Sequence, residues 1–296
     1  MIRRLTERIF LIEGGKGGRY PYAHSLFLRD GGGVLFDCGS DLQDILRLKK
    51  DEGLRLVVMT HYHEDHFLFL SMLPDVEVWA TEEDAPALES FEILLDRYGV
   101  LESEWEPFFR GLLSEKFSYA PRRIARRIAD GERLRFGRTE ATAVIAPGYT
   151  PGHLCLLFPS DGILFLADYD LTDFGPWYGD KPGSIESFRR SMVRLAEIGA
   201  DVNVASHETA VHRGPIGAKA AAYLSRIDAR EEALRGFLRQ PRSRREIIDR
   251  RIVYGEGRPG PWFDYGEWAL LSKHLEGMLA RGEAACEGDR YVAISL

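Results

Sequence analysis

In the first 80 residues the apolar positions either alternate with polar ones or run unbroken for a few residues, the two patterns of sheet strands. "RIFLIEG" and "HSLFLRDGGGVLFDCGS" read as strands, the second as a hairpin turning at Gly31 to Gly33. "LRLVVMT" and "VEVWATE" read as short strands, and "DLQDILRLKKDEG" carries apolar residues at helical spacing, which predicts a strand–helix–strand unit. From about residue 82 to 130 the period becomes helical throughout, with breaks near Pro107 and Pro121. This stretch is crowded with aromatic residues, among them Phe91, Tyr98, Trp105, Phe108 and Phe109, which predicts helix–helix packing with one or two rings facing a cleft. Strands return from "DGERLRFG" to "ILFLADYDL", followed by the helix "SIESFRRSMVRLAEIGA" and the strand "DVNVASHE". Beyond Pro215 come a long helix, a short basic one ("SRREIIDRRIV"), and a last helix leading into a hairpin. No internal repeat or low-complexity linker interrupts the pattern.

Composition changes this picture little. A chain of 296 residues, 45% hydrophobic and 29% charged, has the make-up of a soluble globular protein of one or two domains. The net charge of −7 argues against nucleic-acid binding through the whole surface. Three widely spaced cysteines, Cys38, Cys155 and Cys286, suggest no disulfide framework and predict a reducing compartment, the cytoplasm. The N-terminal apolar run is too short for a signal peptide, and no stretch is long enough for a membrane span.

Chemistry concentrates in "VVMTHYHEDHFLFL", residues 57 to 70. Three of the chain's eight histidines, His61, His63 and His66, crowd here with Asp65. In an extended segment His61 and His63 share a face. Asp65 and His66 follow where the chain should turn. Neutral imidazole and carboxylate suit borderline divalent ions such as zinc, iron or manganese. His153 in "APGYTPGHLCLLF", Asp168 in "ILFLAD" and His207 in "DVNVASH" also lie at strand boundaries, where ligands can project from a rigid sheet into a cleft.

Taken in order, "VLFDCGS", "THYHEDH", "TPGH", "FLAD" and "ASH" resemble the metallo-β-lactamase superfamily of hydrolases over roughly the first 210 residues. The resemblance implies a four-layer αββα sandwich with the metal cleft along one edge. It implies that His61, His63 and His153 bind a first divalent ion, that Asp65, His66 and His207 bind a second, and that Asp168 bridges them. Zinc is the expected metal, with iron or manganese as alternatives. The implied reaction is hydrolysis by a hydroxide shared between the ions, with Asp65 also shuttling the proton to the leaving group. Asp37 would lie beneath the histidine loop and orient an imidazole. His24 and Tyr169 are the candidate substrate contacts; Tyr149, Trp177 and Tyr178 also lie close in sequence to ligand-bearing loops. His212 falls outside the ligand pattern, and His274 reads as a core histidine.

The resemblance divides the chain into a catalytic domain, residues 1–213, with the helical insert at about 82–130, and a region 214–296. The latter resembles the helical linker and winged-helix-like tail of the β-lactamase-like-protein-2 branch, some of whose members cleave RNA. Three functions compete. A hydrolase of a small ester-like substrate, a thioester or lactone, is favoured by the aromatic insert and the acidic balance. A phosphodiesterase or endoribonuclease is favoured by the tail and the basic "RQPRSRREIIDRR". A redox di-iron protein is disfavoured, because His63 stands where that class has Glu and no flavodoxin-like tail follows. The expected partner is thus a small molecule, with RNA second, no membrane, and a homodimer through apolar faces of the insert.

Overall fold

The computed structural model describes residues 1–294. One sheet holds β1 (Ile2–Arg4), β2 (Ile9–Ile12), β3 (Ser25–Leu28), β4 (Val34–Phe36), β5 (Leu56–Val58), β6 (Glu77–Thr81) and β7 (Arg126–Ile128), side by side in chain order. Pairing is antiparallel from β1 to β4 and parallel from β4 to β7. The β3–β4 hairpin closes through Gly31, Gly32 and Gly33, all with positive φ, where a Cβ would be strained. The second sheet holds β8 (Arg133–Phe136), β9 (Thr139–Ile145), β10 (Leu154–Phe158), β11 (Ile163–Ala167), β12 (Val202–Ala205) and β13 (Val211–Arg213), in the order β13-β12-β11-β10-β9-β8.

The strands read as unbroken apolar runs because both faces of each sheet are buried. Alternate side chains of β2, β4 and β5 (Ile9, Leu11, Val34, Phe36, Leu56, Val58) meet those of the second sheet (Leu134, Leu154, Leu156, Phe158, Ile163, Phe165) in one core. The intervening residues point outward. Phe10, Ile12, Leu35 and Val57 pack with Ile45 and Leu48 of the helix Leu42–Glu52. Cys155, Leu164 and Leu166 pack with Phe188, Met192 and Leu195 of the helix Ile185–Glu197. This is the αββα sandwich. The first of these helices starts at Asp41, whose carboxylate accepts the Asp44 N–H at 2.9 Å, and stops at Gly53 in the left-handed conformation.

The insert departs from its expected helical run. Helices span Ala85–Glu89, Phe91–Tyr98 and Glu106–Gly111, the last running on into a π-turn at Leu112–Lys116. Past Pro121 the chain extends, and Arg126–Ile128 becomes the edge strand β7 beside β6 rather than a helix. Main-chain pairing to the open sheet edge decides this, since a three-residue strand carries too little pattern to show in the sequence.

The C-terminal region contributes helices Gly217–Phe237, Arg244–Asp249 and Pro261–Ala280 and a small sheet of β14 (Arg242–Ser243), β15 (Ala284–Glu287) and β16 (Arg290–Ala293), ordered β14-β16-β15. A reciprocal cap between Ser243 and Glu246 starts the short helix. The last helix lies against the insert. Tyr265 packs edge-on to Phe109, with ring centroids 4.6 Å apart, and its hydroxyl donates to the Tyr98 carbonyl at 2.7 Å. No helix among the described residues is long and apolar enough to cross a membrane.

Candidate metal centre

Five loops meet at one edge of the sandwich, following β4, β5, β9, β11 and β12. The first sets the second in place. The Cys38 N–H donates to the His66 carbonyl at 2.8 Å, and the Phe69 N–H donates to the Cys38 carbonyl at 3.1 Å. Gly39 is required by close approach, since a Cβ there would collide with the Asp65 carbonyl oxygen. A register shift at the end of β11, with Ala167 at φ 48°, turns Asp168 toward the site.

Two groups of buried ligand atoms result. His61, His63 and Asp168 form one, and Asp65, His66 and His207 the other; within each, the atoms lie within 4.8 Å of one another. Asp168 stands between them. Its Oδ2 is 3.8 Å from His61 Nε2 and 3.3 Å from His207 Nε2, and its Oδ1 is 2.9 Å from His66 Nε2. The latter pair is out of line for a hydrogen bond, so His66 Nε2 and Asp168 Oδ1 are buried without a partner, as is His61 Nε2. Orphaned buried atoms of this kind are costly unless something fills the space between them.

The opposite nitrogen of each of these imidazoles is held. His66 Nδ1 donates to Asp37 Oδ2 at 2.8 Å. The same carboxylate oxygen accepts the Thr60 hydroxyl at 2.7 Å, and Thr60 Oγ1 faces His61 Nδ1 at 2.9 Å. His63 Nε2 lies 2.9 Å from Asp180 Oδ2, and His207 Nδ1 lies 2.6 Å from the Gly18 carbonyl oxygen. An acceptor on one nitrogen directs the other at the site, where it offers a lone pair once its proton is displaced, as metal-ligating histidines require. The residues present therefore fit a pair of divalent cations.

Electrostatics point the same way. Burial alone would lower His63, but Asp180 and the neighbouring Glu64 and Asp65 outweigh it and push it up to about 9. Burial likewise opposes the charge on His207, yet Asp168, Asp65 and Asp170 raise it to about 10. His66 is held well above its ordinary value by Asp168 and Asp37, again against burial. The pocket of carboxylates thus calls for positive charge, which protons or metal ions can supply.

Several expected residues fall elsewhere. His153 is brought to the site, its ring centroid 5.1 Å from that of His61, but its Nε2 accepts the Asp168 N–H at 3.2 Å. Asp168 forms the compact group with His61 and His63, and His153 stands beside it. Burial pushes His153 down to about 3, so this imidazole is neutral. Tyr169 does not face the cleft. Its hydroxyl donates to the Ala146 and Pro147 carbonyls, both at 3.1 Å, and its ring stacks on Phe188. His24 is buried behind the Gly14–Gly18 loop: its Nδ1 accepts the Gly14 N–H at 2.9 Å, and a Cβ at Gly18 would strike its ring. It supports the segment whose Gly18 carbonyl holds His207, and it does not line the cleft. His274 is a satisfied core histidine, 2.7 Å from the Tyr178 hydroxyl. His212 is buried beside Lys219, with its Nδ1 2.7 Å from the ammonium.

Tyr149 takes the place expected for Tyr169. Its hydroxyl donates to Asp168 Oδ2 and lies 3.1 Å from His63 Nδ1. Two further residues carry no spacing signal in the sequence. Asp180 joins His63 to Tyr62 and Trp177, whose hydroxyl and indole N–H donate to it at 2.7 and 2.8 Å. Asp84 accepts the Thr150 hydroxyl and the Gly152 N–H, which fixes the loop bearing Tyr149 and His153. Burial raises Asp84 to about 7.

Over this floor opens a cavity of about 870 Å³. His63, Asp65, Tyr149, Asp168 and His207 line its base. Its walls are largely aromatic and come from the insert (Tyr98, Phe108, Phe109), the loop after β11 (Phe174, Trp177) and the C-terminal region (Tyr254, Trp262, Phe263, Tyr265). Glu64, between His63 and Asp65, accepts hydroxyl hydrogen bonds from Tyr20 and Tyr98 and ties two walls to the floor.

An αββα sandwich with two abutting clusters of imidazole and carboxylate ligands on one edge defines a class of metal-binding protein. The family profile described as Metallo-beta-lactamase superfamily matches residues 20–207, and the chain belongs to that superfamily. Among solved structures it is similar to a beta-lactamase domain protein from Burkholderia ambifaria, at 22% identity and TM-score 0.74, covering 99% of this chain and 93% of that one. A metallo-beta-lactamase family protein from Thermus thermophilus is similar at 22% identity and TM-score 0.71, covering 98% and 100%. An archaeal superfamily protein from Sulfolobus tokodaii aligns at 16% identity and TM-score 0.55, covering 92% and 99%. These likenesses establish the fold, which in the first two includes the C-terminal region. No curated protein matches the sequence.

Proposed function

We propose that the protein is a metal-dependent hydrolase of a small ester-like substrate, a thioester or lactone, working with two divalent cations. The observation that carries this reading is the set of buried, unpartnered ligand atoms, His61 Nε2, His66 Nε2 and Asp168 Oδ1, of which Asp168 reaches the base of a large open cavity. His61 and His63 would hold one cation, Asp65, His66 and His207 the other, and Asp168 would touch both; His153 stands next to the first. When bound, the cations supply a water acidified to near-neutral pKa and polarise the substrate oxygen.

The chain's own groups do the rest. Tyr149, kept neutral because burial pushes its phenol well up, would turn its O–H from Asp168, once that carboxylate holds the cations, to the oxygen that gains charge in the transition state. The water oxygen joins the acyl carbon, the acyl–heteroatom bond breaks, and Asp65 passes the water's proton to the departing heteroatom. Asp37, Thr60 and Asp180 keep the imidazoles in the required tautomers. The aromatic walls supply area for an apolar acyl or aryl body and exclude water from it.

Metal analysis and a substrate panel test the reading. We expect two ions per chain and turnover of thioesters or lactones that a chelator abolishes and added zinc or manganese restores. Fewer than two ions at full loading overturns the dinuclear centre. Turnover confined to bis-p-nitrophenyl phosphate and single-stranded RNA moves the assignment to a phosphodiesterase or endoribonuclease. Metal-dependent turnover with Asp65→Asn at the parent rate, both ions retained, removes the proton-shuttle role.

A further inference from the structure

We propose that the substrate carries an anionic group, a carboxylate or a phosphate, remote from the ester to be cleaved, and that Lys116 and Arg258 hold it at the open edge of the cavity. The inference rests on the hydrolase reading for the reaction, though not for the binding.

The starting observation is a charge imbalance within the cavity lining. Most lining charges are already answered. Arg19 pairs with Glu208 at 3.4 Å. Glu64 accepts from two tyrosine hydroxyls, and Asp170 accepts from the Thr172 N–H and hydroxyl. Asp65 and Asp168 face the histidines. Lys116 and Arg258 differ: among the described residues neither has a carboxylate within 4.0 Å, and neither donates a hydrogen bond to a protein group. Both line the cavity, and both are exposed.

These two cations are nevertheless held. The Lys116 ammonium lies 5.2 Å from the ring centroids of both Tyr20 and Phe117. The Arg258 guanidinium lies 5.7 Å from the centroid of Phe263. Cation–π contact of this kind restrains the stem but consumes no N–H donor. One cation comes from the end of the insert's helical part and the other from the loop before the last helix, so segments far apart in the chain bring them to one cavity. On a protein of net charge −7, two unanswered cations at the opening of a site draw anions and leave neutral molecules unaided. The arrangement suits an amphipathic molecule whose anion meets Lys116 and Arg258, whose apolar body crosses the aromatic walls, and whose ester reaches the base. Carboxylate and phosphate share this chemistry; Arg258 can take either through two N–H groups.

Three matched phenylalkyl thioesters test this, one neutral, one with an ω-carboxylate and one with an ω-phosphate, assayed with the metal-loaded protein at low ionic strength. We expect kcat/KM about 10-fold or more in favour of an anionic member, carried by KM, which is the size of one good charge contact. Comparing the two anionic members tells carboxylate from phosphate. Added salt should shrink the preference. The K116Q/R258Q variant should abolish it while keeping two metal ions and the neutral ester's kcat. No preference, or a preference that survives in the variant because the metal centre binds the anion, overturns the proposal.

If none of the three is cleaved, the hydrolase reading fails while the binding claim stays testable. The corresponding uncleavable amides are then titrated against the fluorescence of Trp177 and Trp262. Tighter binding of an anionic amide, lost in K116Q/R258Q, upholds the proposal, and equal binding of charged and neutral amides overturns it. A short single-stranded oligoribonucleotide that outcompetes the phosphate-bearing amide by more than about 10-fold also overturns it in favour of a nucleic-acid ligand.

Discussion

The base of the cavity and its walls are built in opposite ways. At the base, the side chains come from loops at the strand ends, and an acceptor behind each of four histidines, Thr60, Asp37, Asp180 or the Gly18 carbonyl, sets the direction of its other nitrogen. The walls are aromatic surfaces from segments far apart in the chain, held by ring packing and a few long-range hydrogen bonds such as Tyr265 to the Tyr98 carbonyl. A rigid sheet edge suits chemistry that tolerates little displacement. An assembled aromatic wall suits recognition, because its shape can change by substitution without disturbing the ligands beneath. The two regions should therefore fail differently.

The largest effect belongs at the centre of the base. Asp168→Ala removes the one carboxylate that both ligand groups share. We expect metal content to fall below two ions per chain and hydrolysis to drop to background. Elemental analysis beside a rate measurement checks this; two retained ions would place the bridging role elsewhere.

Next comes the pH dependence of metal binding. In the metal-free protein His63 and His207, raised to about 9 and about 10, are both protonated at neutral pH. A ligand nitrogen must be unprotonated, so loading expels these protons and affinity rises with pH. With His66 also held well above its ordinary value, three protons must leave, so the slope should exceed about two decades per pH unit until pH nears 9. The sign for stability is the reverse. A histidine whose pKa is raised on folding stabilises the fold fully below about 6.5, its unfolded value, and that contribution fades as pH rises through 9 to 10. Metal-free protein should therefore lose thermal stability across that window while loaded protein does not. A proton count near zero on zinc titration at pH 7 would contradict the assignment.

Asp180→Asn should weaken metal affinity or turnover by about 10- to 100-fold, because the amide can present an N–H where His63 needs an acceptor. Retained folding with reduced metal content identifies a positioning role; unchanged metal affinity identifies a merely structural one.

The smallest effect belongs to the wall. Trp262→Ala removes a ring that stacks on Tyr20, 4.9 Å between centroids, and lines the cavity. KM should rise by roughly 10-fold with kcat little changed, and metal content should stay at two. A matching loss in kcat would mean that wall and base are coupled after all.

The same division explains what could be read in advance. The β3–β4 hairpin was legible because strand alternation and three adjacent glycines agree. The cluster of histidines and carboxylates was legible because its members lie in the short loops that adjoin apolar strands, where the sheet edge gathers them. Asp180 was not, since its partnership with His63 spans 117 residues and no spacing rule connects them. Tyr149 and Tyr169 were both near the site in sequence, and only the course of the turns at Gly148 and Ala167, both at positive φ, decides that Tyr149 faces the cleft while Tyr169 faces Phe188. His24 failed for a similar reason: strand position puts it close to the mouth, but the Gly14–Gly18 loop covers it. The strand β7 was hidden because it exists only through pairing with β6.

By itself, then, the amino-acid sequence determined the sandwich and marked the histidines and carboxylates that gather at its edge, because period-two burial and placement beside strand ends are local properties of the chain. Which nitrogen of each histidine is free, which tyrosine faces the cavity, and which two cations stand unanswered at the opening were decided only in three dimensions. Those features depend on pairs of residues brought together across the whole fold, and a side chain's direction is set by what it packs against rather than by its neighbours in sequence.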